Sequence, residues 1–93
     1  KTGLLGLTRT LAVEWGPRNI RVKAVAVGLC ESRMTASTFA NPQWAKPTLD
    51  RTPAGRLGVP QDVTGAVLFL TSAGASWITG QTLPIDGGFT VSG

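Results

Sequence analysis

Apolar positions recur with a helical period at the start of the chain. Leu4, Leu7, Thr8, Leu11, Ala12 and Trp15 fall at i, i+3, i+4, i+7, i+8 and i+11, which is one stripe of an amphipathic helix. The spacing predicts a helix over Thr2–Trp15. Gly3 and Gly6 weaken it by roughly 1 kcal/mol each relative to alanine, and they suit a place where a neighbouring backbone comes close. Gly16-Pro17 ends the helix, because glycine takes the left-handed cap and proline cannot continue. The pattern then changes. Ile20-Arg-Val-Lys-Ala-Val-Ala-Val27 is nearly continuous rather than alternating, apart from Arg21 and Lys23. Such a run reads as a strand covered on both faces, as in a parallel sheet. Gly28 breaks it into a short polar loop that runs to Thr35. Ligands of open α/β sheets bind just beyond the carboxyl ends of the strands, so Gly28–Thr35 is the first candidate site.

Met34 to Arg51 is less periodic. It predicts two short helices broken near Asn41-Pro42, with Pro42 at a first helical position. Pro47 argues against one long rigid helix. Phe39, Trp44 and Leu49 are apolar without a clean face. A mobile flap over the strand end and a connector packed on the surface both fit this stretch. Thr52–Val59 reads as loop. Pro60 starts a second strong helix, with Asp62 in its first turn, where a negative charge suits the helix dipole. Val63, Ala66, Val67 and Leu70 form its stripe, and Gly65 permits close packing. After a compact turn region at Ser76–Gly80, Gln81–Asp86 is a short strand ended by Gly87-Gly88, and Phe89–Gly93 is a tail. The order is helix, strand, short helices, helix, strand. Two strands joined through a helix make a right-handed parallel crossover. Two such strands cannot close a sheet, so this α/β pattern implies further strands alongside.

Composition sharpens that picture. The chain has 93 residues, with only 15% charged, where about 25% is usual for a freestanding domain. Much of its surface is therefore expected to be covered by another subunit or by more chain. The helical pattern begins at Lys1 without a methionine or a leader, which reads as a chain entered partway along. Nine basic and five acidic residues give a net charge of +4. The basic residues are dispersed and not interleaved with aromatics, which argues against a nucleic-acid partner. A single cysteine, Cys30, excludes an internal disulfide and fits a reducing, cytoplasmic setting. The absence of histidine makes the usual zinc sites, and a metal site generally, an unpromising reading. No apolar run approaches the ~18 residues of a membrane span.

Five stretches, in order, resemble the C-terminal part of the classical short-chain dehydrogenase/reductase family. Lys1-Thr-Gly-Leu-Leu-Gly-Leu-Thr-Arg-Thr-Leu-Ala-Val-Glu14 is similar to the family's segment beginning at its catalytic lysine. Asn19-Ile-Arg-Val-Lys-Ala-Val-Ala-Val-Gly28 is close to N-I-R-V-N-A-V-A-P-G, and Arg56-Leu-Gly-Val-Pro-Gln-Asp62 to R-x-G-x-P-E-D/E. Leu68-Phe-Leu with Ser72, and Ile78-Thr-Gly-Gln81 with Asp86-Gly-Gly88, complete the set. The stretches around Trp44 and Asp86 resemble the gluconate 5-dehydrogenase-like and sugar-alcohol branch. The 3-oxoacyl-carrier-protein reductase branch is nearly as close.

The resemblance implies the C-terminal segment of a single Rossmann-type NAD(P)-binding domain, a doubly wound parallel sheet whose N-terminal half lies outside these residues. It implies NAD or NADP as cofactor and a small carbonyl or secondary-alcohol substrate, with sugar acids and sugar alcohols foremost. It also implies a homo-oligomer, dimer or tetramer, in which the first helix forms one interface and the last helix and strand another. Lys1 takes the catalytic lysine's place. A cationic lysine favours the phenolate of a tyrosine four residues earlier, whose ordinary pKa is about 10, and its ammonium also reaches the nicotinamide ribose. Val27, Gly28, Cys30 and Ser32 take the nicotinamide-receiving segment, with a backbone group of Cys30 for the carboxamide and the Ser32 hydroxyl in place of the usual threonine. Leu29, Met34 and Trp44 take substrate-facing positions. Ser32 also suits a helix cap, and both roles are compatible. Core or interface packing is the commoner role for Trp15, Trp44 and Trp77. The cysteine fills space where the family often has an aliphatic residue. Two departures stand out: Val27 replaces a proline, and Lys23 replaces an asparagine inside the strand. A buried ammonium is costly unless paired, so Lys23 must find an acceptor if the register is right. A non-catalytic association module of the same fold is the rival reading. The phosphate loop and the acid/base tyrosine are not among these residues.

Overall fold

The computed structural model describes residues 2–92. Its elements are α1 (Thr2–Trp15), β1 (Ala24–Val27), α2 (Arg33–Phe39), α3 (Pro42–Asp50), α4 (Pro60–Leu70) and β2 (Thr82–Ile85), with 3-10 turns at Gly16–Arg18, Ala73–Ala75 and Phe89–Val91. β1 and β2 pair in parallel, with Ala24 N–H donating to Gln81 O at 3.0 Å and Gly28 N–H to Ile85 O at 2.9 Å. The chain divides into two compact units. One holds the chain up to Ala26 together with Thr64–Pro84. The other holds Val27–Val63 and the chain from Ile85 onward.

In the first unit, α1 has the predicted bounds, but its buried line is narrower than the predicted stripe. Thr8 and Ala12 are buried, whereas Leu4 and Leu7 are about half exposed, at 51% and 54%. Thr8 spends its hydroxyl on the Leu4 carbonyl one turn back, at 2.7 Å, which lets a polar side chain be buried without an orphan. Ala12 receives the chain at Gly80, where an added Cβ would stand 3.3 Å from the alanine methyl. Gly3, Gly6 and Gly65 have nothing within 4 Å on their open sides, so the close approach expected at them is not made by the described residues. The helix ends differently from expectation. Gly16-Pro17-Arg18 continues as a 3-10 turn, and Asn19 takes the left-handed conformation at φ 62°. Asparagine tolerates that region better than other side chains.

The strand is shorter than its apolar run. Val22 already binds the returning chain, through Gly80 N–H at 2.7 Å and the Thr79 hydroxyl at 3.0 Å. Regular pairing nevertheless starts only at Ala24, because β2 begins at Thr82 and its register dictates where a ladder can form. Lys23 finds its acceptors. Its Nζ donates to the Leu70 carbonyl and, at 3.0 Å, to the Ala75 carbonyl. These are the end of α4 and the end of the next 3-10 turn, where carbonyls lack intrahelical partners and a cation suits the dipole. The condition set by the strand register is thus met. Ala75, beside this staple, is fully buried. An open apolar groove of about 160 Å³ lies along the same side, lined by residues including Ala24, Phe69, Leu70, Ile78 and Leu83.

In the second unit, the chain leaving β1 forms an isolated parallel bridge from Cys30 to Gly58. The two short helices break at Asn41-Pro42 as expected. The Asn41 side chain caps α3 by accepting from Gln43 N–H at 3.0 Å, and Pro42 sits in the first turn. Pro47 lies inside α3, which continues to Asp50. Asp62, in the first turn of α4, accepts from Val59 N–H at 2.8 Å and holds Arg56 by a bidentate pair at 2.8 and 3.1 Å. No large side chain is fully buried among the described residues. That is what two parallel strands without further neighbours must give.

Candidate functional site

The site is built at the carboxyl ends of β1 and β2. After Val27 the backbone runs so close to β2 that a Cβ on Gly28 would stand 2.8 Å from Asp86 Cβ and 3.0 Å from Asp86 Cα. Only glycine fits there. The sequence reading gave Gly28 a different reason, close approach to a nicotinamide ring. Within the chain it is the end of β2 that occupies this side. Gly58 closes the other edge one step on: its N–H donates to Leu29 O at 3.0 Å, and its carbonyl accepts from Glu31 N–H at 2.7 Å.

This pairing sorts the loop's groups. In an extended chain the backbone groups of successive residues point to opposite edges. Leu29 O and Glu31 N–H face Gly58, so the Cys30 N–H and carbonyl face away from it. The Cys30 carbonyl takes the Thr35 hydroxyl at 2.8 Å. The Cys30 N–H makes no hydrogen bond among the described residues. Val27 and Leu29, on alternate positions, remain 45% and 50% exposed. The loop is therefore held by Asp86 at Gly28 and by Gly58 at Leu29 and Glu31, and it offers two apolar side chains. Among the described residues the Cys30 N–H, like the Leu29 N–H, is left without a hydrogen-bond acceptor.

Ser32 ends the loop as the N-cap of α2. Its hydroxyl accepts from Thr35 N–H at 3.2 Å, and the Thr35 hydroxyl accepts from Ser32 N–H at 2.8 Å. This reciprocal pair is a capping box with threonine in the usual glutamate position. Thr35 was not singled out from sequence, although the Ser-x-x-Thr spacing is a signal that points to it. Met34 and Trp44 stand 85% and 65% exposed on α2 and α3, and no hydrogen bond draws the Trp44 ring to the loop among the described residues. Lys1 lies outside the described residues.

Two carboxylates near the site, Asp62 and Asp86, are committed to structure. Asp62 is held at about 2, first by its hydrogen bonds from Arg56 and then by the Val59 N–H; the same contact raises Arg56. Asp86 is lowered, first by the Thr90 hydroxyl and then by Gly88 N–H, with bonds of 2.6 Å and 2.9 Å. Neither carboxylate is tuned to move a proton near neutral pH. No group of three or more His, Cys, Asp or Glu side chains is placed to hold a metal among the described residues. The arrangement can receive a flat ring and orient a polar group on it.

Residues 1–90 match the family described as enoyl-(acyl carrier protein) reductase. The chain belongs to the short-chain dehydrogenase/reductases. It is 46% identical over 85 residues to a galactitol 2-dehydrogenase (L-tagatose-forming) of Cereibacter sphaeroides, covering 91% of this chain and 34% of that protein. It is 46% identical over 92 residues to a 3-oxoacyl-(acyl-carrier-protein) reductase of Thermotoga maritima, covering 98% and 36%. Among solved structures, a protein described as a 2-deoxy-D-gluconate 3-dehydrogenase of Agrobacterium tumefaciens, with bound NADP, superposes with a TM-score of 0.89 at 41% identity, covering 97% of this chain and 37% of that one. The chain thus spans about a third of the length of the short-chain dehydrogenase/reductases it matches. The α/β architecture is Rossmann-type.

Proposed function

We propose that these residues supply the nicotinamide-facing part of an NAD(P)-dependent oxidoreductase, with Val27–Ser32 as the loop that receives the ring. The observation that carries this is the Cys30 N–H at the strand end, unpaired among the described residues, beside exposed Val27 and Leu29. The amide suits the carboxamide oxygen, and the two apolar side chains suit one face of the ring. The Ser32 hydroxyl keeps lone-pair capacity beyond its cap. The bound nicotinamide would supply or accept a hydride at a carbonyl or secondary-alcohol carbon. Lys1, in the family's lysine position, would favour the phenolate of a tyrosine outside these residues and so lower its pKa. The likeness to a galactitol dehydrogenase and a gluconate-type dehydrogenase favours a polyol or sugar acid as substrate; that to an acyl-carrier-protein reductase keeps a 3-oxoacyl thioester as the second class. Leu29, Met34 and Trp44 would face that substrate.

The exposed apolar side chains of α1, α4 and β2 support a homo-oligomer, dimer or tetramer, and the free Cys30 suits a reducing, cytoplasmic setting. Those side chains include Leu4, Leu7 and Val13 on α1, Leu68 and Phe69 on α4, and Leu83 on β2. No helix among the described residues is long and apolar enough to cross a membrane. The same exposure is what a non-catalytic association module of this fold would show, and one experiment separates the two. Residues 1–93 are fused behind the N-terminal two-thirds of the Thermotoga maritima reductase, and NADPH oxidation is followed with a 3-oxoacyl thioester and with a ketose. Turnover by the fusion, together with weak NADPH binding by residues 1–93 alone, is the expected outcome. A folded fusion that binds NADPH but turns over neither substrate contradicts the catalytic reading.

A further inference from the structure

The helix pair α2–α3 is held at its ends rather than along its length. Neither helix contains a buried residue, and the two lie against each other. The leading end is fixed by the capping box of Ser32 and Thr35 and by the Thr35 bond to Cys30. The trailing end is fixed by the last turn of the chain. Ala54 N–H donates to Gly87 O at 3.0 Å. Gly87 and Gly88 both have positive φ, at 63° and 90°, and both are pressed against the loop that follows α3. A Cβ on Gly87 would stand 2.9 Å from Thr52 Cγ2, and one on Gly88 would stand 2.9 Å from Pro53 Cγ. Asp86 holds this turn closed through Gly88 and Thr90. On top of it, the guanidinium of Arg51 lies 4.7 Å from the centre of the Phe89 ring. Arg51 is the residue directly after α3 and makes no ion pair among the described residues. Its charge is therefore directed at the ring, as in other cation–π contacts.

We propose that Arg51 and Phe89 are positioning residues, whose contact fixes the trailing hinge of α2–α3 and so sets where Met34 and Trp44 stand relative to the Val27–Ser32 loop. This rests on the reading of that loop and helix pair as a substrate-facing site. Among the described residues, these end contacts are what place the helix pair. A residue gripping one end then governs substrate affinity without touching the substrate.

The test uses the complete protein carrying these residues. Arg51→Met and Phe89→Leu remove the cation and the ring face while keeping bulk; Arg51→Lys and Phe89→Trp restore them. Each disrupting variant should raise KM for the carbonyl substrate about two- to fivefold, the range for an exposed cation–π contact. KM for the nicotinamide cofactor should stay unchanged, and the double variant should go no further than either single one. Amide hydrogen exchange over residues 36–50 should quicken in both disrupting variants and return to normal in the restoring ones. A lowered Tm with both KM values and this exchange unchanged would mean that the contact is ordinary packing, and would overturn the proposal. The exchange measurement needs no turnover. If the wild-type protein proves inactive yet its Arg51→Met variant still frees residues 36–50, the hinge stands and the oxidoreductase reading falls.

Discussion

Gly28 is the residue on which the site's geometry turns. Its missing Cβ is not spare room for a ligand; the space is taken by Asp86 at 2.8 Å. Backbone cannot yield as a flexible side-chain tip does, so Gly28→Ala must push the ends of β1 and β2 apart. The expected cost is about 1–3 kcal/mol, typical of overpacking, read as a lower Tm of the complete protein together with weaker nicotinamide binding. An unchanged Tm would mean that the two strand ends separate freely. The sequence pointed to this glycine through the strand break but could not name its neighbour, because Asp86 lies 58 residues away along the chain. Asp62 carries a pH dependence that is legible only in the structure. Its carboxyl is depressed to about 2 by Arg56 and the Val59 N–H, while an unfolded aspartate titrates near ~3.9. A lowered folded-state pKa stabilises above the unfolded value and is lost as pH falls. The Asp62 contribution is therefore complete above about pH 4 and disappears toward pH 2. A side-chain carboxyl NMR titration should place its midpoint near 2 in the wild type and higher in Arg56→Met, yet still below the ordinary value because the Val59 N–H bond remains.

At the scale of elements, periodicity and punctuation carried far. α1 has the bounds its stripe predicts, and Asn41-Pro42 divides α2 from α3 as the proline position requires. β1 starts four residues later than its apolar run, at Ala24. Hydrophobicity marks what is fit to be a strand, but a ladder exists only opposite a partner, and the partner's start is not written locally. Lys23 joins three elements in one contact. It sits just before β1 and binds the carbonyls that end α4 and the 73–75 turn. Sequence alone could say only that this ammonium needed an acceptor. Hydrogen bonds to a charged group are worth about 1.5–3 kcal/mol. Lys23→Met should thus lower stability by about that much in a denaturant melt, and amides at the end of α4 should lose protection. A loss confined to a few tenths of a kcal/mol would show that water replaces the ammonium without cost.

For the whole molecule, the telling feature is how little is buried. Ala12 and Ala75 are the buried apolar residues among those described, while Leu68, Trp77 and Val13 stand 65%, 99% and 80% exposed. The low charge content and the two-strand pattern had pointed the same way, since parallel strands need cover on both faces. The family was legible because its motifs are spaced along one continuous stretch. The role of the loop was legible only in part. Gly28, Cys30 and Ser32 could be placed by register, yet which of their groups are already used depends on Gly58, Thr35 and Asp86. The central claim is that the Cys30 amide, unpaired among the described residues, is the donor that meets the nicotinamide. It is tested most directly by recording ¹⁵N–¹H spectra of the complete protein while NADPH is added. A large downfield shift of the Cys30 amide, with the Glu31 and Gly58 amides nearly unmoved, is the predicted result. Saturable NADPH binding that leaves the Cys30 amide where it was would contradict it.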